Sequence, residues 1–367
     1  MIDAAVNPAV AEATLPRAER LVELVGAREI DQLFVSDLTN VRYLTGFTGT
    51  NGACLVGAGE LVFFTDFRYT ERAEREVAPE WERPQPEREL LPQIVGRMTG
   101  KVGFEDAHLS VRQLARLESA AEVGEVELIP AGDLVEQLRA VKEPEELERI
   151  AAAAELTDEV YRWVLDRGLV GLTERDVARA CEARLRELGA EPSFPPIIAA
   201  GENGALPHAE PGEREIASGE LVVWDMGALL EGYCSDCTRT FATGEISGAD
   251  RDVYDLVVRA QRAGLDAIGA GRSGKEVDAV AREVISEAGH GDHFGHGLGH
   301  GVGLEIHEGP RLGLTSEDEL AENNVVTVEP GVYLPGRFGV RIEDLVVVTE
   351  NGPRNLSGLP KDFQVVG

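Results

Sequence analysis

Four carboxylates interrupt apolar, strand-like runs in the second half of this 367-residue chain. Asp225 lies near the end of LVVWDM (221–226), and Asp236 lies within GYCSDCTRTF (232–241). Glu329 breaks VVTVEPGVY (325–333), and Glu343 breaks GVRIEDLVVV (339–348). Each pair of runs reads as a hairpin, with a few residues between Asp225 and the strand carrying Asp236. That arrangement brings two carboxylates to one face. One buried carboxylate in a sheet is expensive, and two close together are worse, unless positive charge sits among them. Two divalent cations would neutralise all four.

Histidine adds a fifth candidate ligand. Five of the seven histidines fall within 290–307, in and around FGHGLGHGVGLEIHEGP (294–310). Its glycines let the backbone approach a site closely and leave room for a substrate. No G-x-G-x-x-G register fits this run, and it lacks a P-loop lysine, so it does not cradle phosphate. His300 is the ligand candidate, flanked by His296 and His307. Oxygen-rich ligation with one imidazole suits Mn²⁺, with Co²⁺, Fe²⁺ or Zn²⁺ as alternatives.

The chain length predicts two domains, with a boundary near 139–144. In 1–140, strands at 32–36, 61–65 and 101–104 alternate with helices at 16–26, 67–77 and 110–122. That alternation predicts an α/β domain with a largely parallel or mixed sheet. NVRYLTGFTG (40–49) and TDFRY (65–69) read as turns between strands. In 141–367, helices are predicted from Pro144, from Thr173 to Gly189, over 249–269 and over 274–288. Ser273 and Glu276 form a capping box. With the two hairpins, the second domain reads as α+β, its helices packed on one face of an antiparallel sheet.

Thirty-five basic residues against 66 acidic ones give a net charge of -31. Double-stranded nucleic acid repels such a surface, so small molecules or short peptides are the expected partners. No run approaches 18 apolar residues and no secretory signal is visible, so no membrane span and a cytoplasmic location are expected. Cys54, Cys181, Cys234 and Cys237 are too few for a disulfide framework. Cys234 and Cys237 bracket Asp236 at an odd spacing. On a strand, that directs them to opposite faces as packing residues.

The joint pattern D-x10-D, H-G-x-G-H, E-P-G and R-I-E-D resembles that of the pita-bread, M24-type metallopeptidases. This family holds methionine aminopeptidase, Xaa-Pro aminopeptidase and prolidase. The resemblance extends to His208 in ALPHAEP, His296, His307 in LEIHEGP and Arg341. Over 1–140, NVRYLTGFTG and TDFRY are similar to the opening domain of the Xaa-Pro peptidases, which methionine aminopeptidases lack. It implies a creatinase/prolidase-like α/β domain followed by a pita-bread catalytic domain. The implied activity is hydrolysis of Xaa-Pro bonds in dipeptides or short proline-containing peptides.

The resemblance also implies residue roles. Asp236 and Glu343 bridge two ions, Asp225 holds one, and His300 and Glu329 hold the other. A water shared by two ions roughly 3.5 Å apart is acidified. Glu329 relays its proton to the leaving imino nitrogen. His208 and His307 steady the scissile carbonyl and its oxyanion. His296, Arg341 and Arg311 complete the substrate-binding set, with Arg341 beside a ligand and Arg311 placed to pair with a dipeptide's terminal carboxylate. Arg239 sits beside the ligands as a charge partner. Relatives are commonly homodimers, so a homodimer is expected. The alternatives are a catalytically inactive binding module on the same fold, and a methionine-aminopeptidase-like or phosphotriester-hydrolysing relative.

Overall fold

The computed structural model describes residues 8–86, 89–122 and 126–367, in two compact units divided between Arg139 and Ala140. Among the described residues the first unit is built on five strands: β1 (Gln32–Val35), β2 (Gly52–Gly57), β3 (Glu60–Thr65), β4 (Lys101–Phe104) and β5 (Glu127–Pro130). Their order is β3-β2-β1-β4-β5. The first three pair antiparallel, while β1, β4 and β5 pair parallel, so the sheet is mixed. The helices are α1 (Pro8–Ala27), α2 (Leu38–Thr45), α3 (Thr70–Glu76), α4 (Leu90–Val95), α5 (Val111–Ala121) and α6 (Leu134–Ala140). Phe34, Leu55, Phe64 and Phe104 on the sheet pack with Ile94 and Leu117 from the helices.

The segment expected as a turn after β1 is instead helix α2. Asp37 caps it by accepting from the Thr39 amide, and Gly46 ends it in the left-handed region at φ 77°. Residues 67–77 do not form one helix. A 3-10 turn over Phe67–Tyr69, capped by Asp66, precedes α3.

The second unit repeats one design. Helices α7 (Pro144–Leu165) and α8 (Glu174–Glu187) precede β6 (Glu191–Pro192), β7 (Ile197–Ala200), β8 (Leu221–Met226), β9 (Ala228–Leu230), β10 (Tyr233–Cys234) and β11 (Cys237–Ala242). Helices α9 (Gly248–Asp266) and α10 (Gly274–Glu287) precede β12 (Gly299–Gly301), β13 (Glu308–Leu312), β14 (Val325–Val328), β15 (Gly331–Leu334), β16 (Phe338–Arg341), β17 (Asp344–Thr349) and β18 (Gly352–Asn355). Thr173 caps α8 and bridges to Glu215, just as Ser273 caps α10 and bridges to Glu319. Each helix pair buries its apolar stripe on its own strands. Val177, Cys181 and Leu185 of α8 pack with Val222 and Trp224, while Val277, Ala281 and Ile285 of α10 pack with Val326, Val328 and Val346. Among the described residues no helix is long and apolar enough to cross a membrane.

All strand pairing in this unit is antiparallel, as expected, but the single sheet is broken into separate ladders. Strand β8 pairs with β7 and β11, whereas β9 turns away to pair with β6 and β10. Likewise β14 pairs with β17, and β15 pairs with β16 in a different ladder. Neither expected hairpin is therefore continuous. The chain changes ladder at Gly227, between Cys234 and Cys237, at Glu329-Pro330 and at Ile342-Glu343. Gly227 is required at the first of these: a Cβ there would stand 1.8 Å from the Ser235 carbonyl oxygen. Pro330 has no N–H to give a ladder, which suits a break.

Candidate metal centre

The breaks place the carboxylates. Asp225 is in β8 opposite Thr238 of β11. Asp236 lies in the gap between β10 and β11, not within a strand as its sequence context suggests. Glu329 sits between β14 and β15, and Glu343 between β16 and β17. Carboxylate oxygens of Asp225, Asp236 and Glu343 lie within 4.8 Å of one another. His300 Nε2 stands 3.6 Å from Asp236 Oδ2 and 3.2 Å from Glu329 Oε1. The five residues read from the sequence thus meet in one place, drawn from both halves of the repeat.

The electrostatics fit cations. Burial pushes the Asp236 carboxyl well above the usual range, and Glu343, Asp225 and Glu329 add like charge. Burial, with Glu329 and Asp225 beside it, raises Glu343 as well. Burial raises Asp225 too, although Arg341 opposes the shift. Burial would also raise Glu329, but its hydrogen bond to His300 and that ring's charge hold it at about 2. Asp225 Oδ1 and Glu343 Oε1 are buried with no hydrogen-bond partner. Unpaired oxygens of this kind are costly unless something electropositive fills the space between them. His300 Nδ1 lies 3.0 Å from the Gly301 carbonyl, a contact that would keep a proton on Nδ1 when a cation displaces the one on Nε2. Four carboxylates and one imidazole therefore suit two divalent ions.

A second layer orients these groups. Thr238 Oγ1 donates to Glu343 Oε2 at 2.8 Å, and Thr327 Oγ1 donates to Glu329 Oε1 at 3.0 Å. Arg341 donates to Asp225 Oδ2 at 2.6 Å, to Thr238 Oγ1, to the Tyr333 hydroxyl and to the Pro207 carbonyl. Its guanidinium is thereby committed to the scaffold and to Asp225. Arg239 is buried against Asp344 at 2.9 Å and bonds the carbonyls of Thr238, Glu343 and Leu359. Cys234 and Cys237 are packing residues buried in different apolar clusters, but because they belong to different ladders and not because of odd spacing on one strand.

A cavity of about 840 Å³ opens onto the centre. Asp225, Asp236, His300 and Glu329 reach it, as do His208, His296, His307, Arg311 and Arg341. Glu343 is 1% exposed and lies beneath its floor. The His307 ring packs edge-on to that of His300 at 4.4 Å. Burial and the His300 charge push its pKa down, which favours the neutral imidazole. His296 Nε2 meets the Tyr333 hydroxyl at 2.9 Å, and burial lowers its pKa also. Tyr333, joining Arg341 to His296, was not found from the sequence. It ends an apolar run, and nothing local distinguishes it from a core residue. Phe194, Pro195 and Pro196 form an apolar wall that the sequence reading also passed over.

Residues 148–350 match metallopeptidase family M24, and residues 17–141 match the creatinase/prolidase N-terminal domain. The chain is similar to an Xaa-Pro dipeptidase of Pyrococcus furiosus, with 37% identity over 351 residues that cover 95% of this chain and 99% of that one. A solved Xaa-Pro dipeptidase from Bacillus anthracis is similar at TM-score 0.92 and 37% identity, covering 96% of this chain and 100% of that one. A solved X-Pro aminopeptidase from Thermotoga maritima is similar at TM-score 0.85 and 35% identity, covering 95% and 100%.

Proposed function

Since the chain belongs to metallopeptidase family M24 and carries a creatinase/prolidase N-terminal domain, we propose that it is a metal-dependent peptidase that hydrolyses the Xaa-Pro bond of short peptides. The observation that carries this reading is the meeting of Asp225, Asp236, His300, Glu329 and Glu343 at the floor of one cavity. These five residues would hold two divalent ions, Mn²⁺ by the chemistry of the donor set. Bound there, the ions supply Lewis acidity, acidifying a water and polarising a carbonyl.

The side chains supply the rest. Glu329 Oε1 is engaged by Thr327 and His300, which leaves Oε2 to take up a proton and deliver it to the imino nitrogen of the leaving proline. The neutral His307 ring donates an N–H to the scissile carbonyl oxygen as charge develops there, and His208 does so from the facing loop. His296, held by Tyr333, lines the wall beside them. Arg341 opposes the effect of burial on Asp225 and holds its carboxylate in place, so its contribution to binding substrate is indirect.

Substrate length is read by Arg311. Its side chain is exposed on the lip of the cavity, while its backbone N–H is held by Asp318 at 2.7 Å and its carbonyl by Ser316 at 2.6 Å. We assign it to the terminal carboxylate of a dipeptide. Arg311→Ala should then lower kcat/KM for Ala-Pro by about tenfold to a hundredfold and spare Ala-Pro-Ala. That range is the kinetic equivalent of a charge-assisted bond of about 1.5–3 kcal/mol. Equal losses on both substrates would make Arg311 a support for the His307 loop.

The decisive assay compares Ala-Pro, Ala-Pro-Ala and Ala-Ala in chelated and Mn²⁺-supplemented buffer. Hydrolysis confined to the proline peptides and dependent on added metal is expected. Elemental analysis of reconstituted protein should find about two ions per chain, the number that balances four carboxylates. A value near zero would remove the premise. The proposal includes a homodimer, which light scattering would test.

A further inference from the structure

The His208 ring has no hydrogen bond of its own among the described residues, although it faces the cavity. Its orientation therefore comes from its backbone. That backbone runs from the end of β7 through a 3-10 turn (Gly201–Ala205) to Gly212. Both ends of this loop meet one side chain. Glu174, the first residue of α8, is 0% exposed. Its Oε1 accepts from the Ala200 amide at 2.8 Å and from Asn203 Nδ2 at 3.0 Å. Its Oε2 accepts from the Gly212 amide at 3.1 Å and again from Asn203 Nδ2 at 3.1 Å. The helix start adds to this grip, because the amides of Glu174 and Arg175 donate to the carbonyls of Arg214 and Gly212. Midway along the loop, the Pro207 carbonyl accepts from Arg341, which in turn holds Asp225.

Taking His208 as a group that meets substrate, as proposed above, we infer that Glu174 is a positioning residue for it. A buried carboxylate that closes the loop at both ends sets the loop's span. The Arg341 tether then fixes the peptide next to His208 relative to the carboxylate centre. A fully buried anion in this place is hard to explain as packing alone. Burying a charge is costly, and an apolar side chain would fill the same volume without that cost. The carboxylate is favoured by three donors, two backbone amides and the Asn203 side chain, that no apolar residue could satisfy, and by its place at a helix N-terminus. Elsewhere in the unit, buried Asp278 of α10 accepts from the Leu298 amide, and Arg282 beside it bonds the carbonyls of Phe294 and His296. Both histidine loops of the cavity are thus gripped by an acid from the neighbouring helix.

The test is Glu174→Gln in the full, Mn²⁺-loaded chain, alone and combined with His208→Ala. The glutamine keeps the shape but replaces one acceptor oxygen with an N–H₂ donor. Amide hydrogen exchange at Ala200 and Gly212 should rise at least about tenfold. With Ala-Pro as substrate, kcat should fall about tenfold while KM and metal content stay near those of the parent. In the His208→Ala background, the same change should cost less than about twofold, because its effect passes through His208. Asn203→Ala, which keeps the carboxylate, should shift exchange and kcat in the same direction by less. It serves if the glutamine variant fails to fold. Unchanged exchange at Ala200 and Gly212 overturns the clasp itself. Equal kcat losses in both backgrounds show that Glu174 acts independently of His208. His208→Ala with parental kcat overturns the inference through the role of His208, not through the loop.

Discussion

Asp236→Asn and His300→Ala are each expected to abolish turnover of Ala-Pro, lowering kcat by about 10³ or more. Each removes a donor from a centre whose activation of water is worth several kcal/mol, and about 1.4 kcal/mol is tenfold. The two should nevertheless differ in stability. In chelated protein, Asp236 binds its proton well above the usual carboxylate range because burial and three neighbouring carboxylates oppose its charge. The folded state then holds a proton that the unfolded state has lost. Stability contributed by this group is full below the unfolded carboxylate pKa, and it falls as pH rises toward the raised folded value. Asparagine has no charge to bury. In chelator at neutral pH, Asp236→Asn should therefore melt above the chelated parent and show a shallower loss of Tm with rising pH. In Mn²⁺ the order should reverse. Near-parental kcat in either variant would mean that the ligands are misassigned, and a lower Tm for chelated Asp236→Asn would contradict the electrostatic account.

His307→Ala should lower kcat by about 10²–10³, the typical loss when one oxyanion donor is removed, and His208→Ala should behave similarly. Metal content should stay near that of the parent in both. His307 is edge-on to His300 but makes no ion-pair contact with the carboxylate cluster among the described residues. The low pKa of its ring, which burial and His300 bring about, adds a pH signature. Above that pKa the ring is a neutral donor, so the His307→Ala deficit should be constant through neutral and alkaline pH. A variant that loses both metal and activity would place His307 among the ligands.

The chemistry of the site was more legible than its geometry. A carboxylate inside an apolar run is conspicuous because burial makes it expensive, and four such oddities, with one histidine in a glycine-rich run, were sufficient to name the ligand candidates. Their placement at breaks between ladders was not legible. A run such as VVTVEPGVY reads as one strand until pairing partners are known, and those lie far along the chain: Val328 with Asp344, and Gly331 with Arg341. The helix at 38–45 was missed because its cap, Asp37, and its stop, Gly46, are equally common in turns. Strands β2 and β5 were missed because β2 begins and ends with glycine, while ELIP is only partly buried and ends in proline. The internal repeat escaped notice because its halves share capping and bridging geometry, as at Thr173–Glu215 and Ser273–Glu319, without sharing a short sequence period.

Each half of that repeat has its own helix pair and apolar cluster, yet neither owns a complete set of donors: Asp225 and Asp236 come from one, and His300, Glu329 and Glu343 from the other. An ion at this seam would add one more tie between halves that already share an apolar cluster, in which Ile150, Tyr233 and Cys234 pack with Val302, Val325 and Leu345. By mass action, free ion at a hundred times its dissociation constant adds about 2.7 kcal/mol per site to the joined state. The stability of the joined state should therefore rise with metal supply, and scarcity should weaken first the seam where the catalytic groups meet.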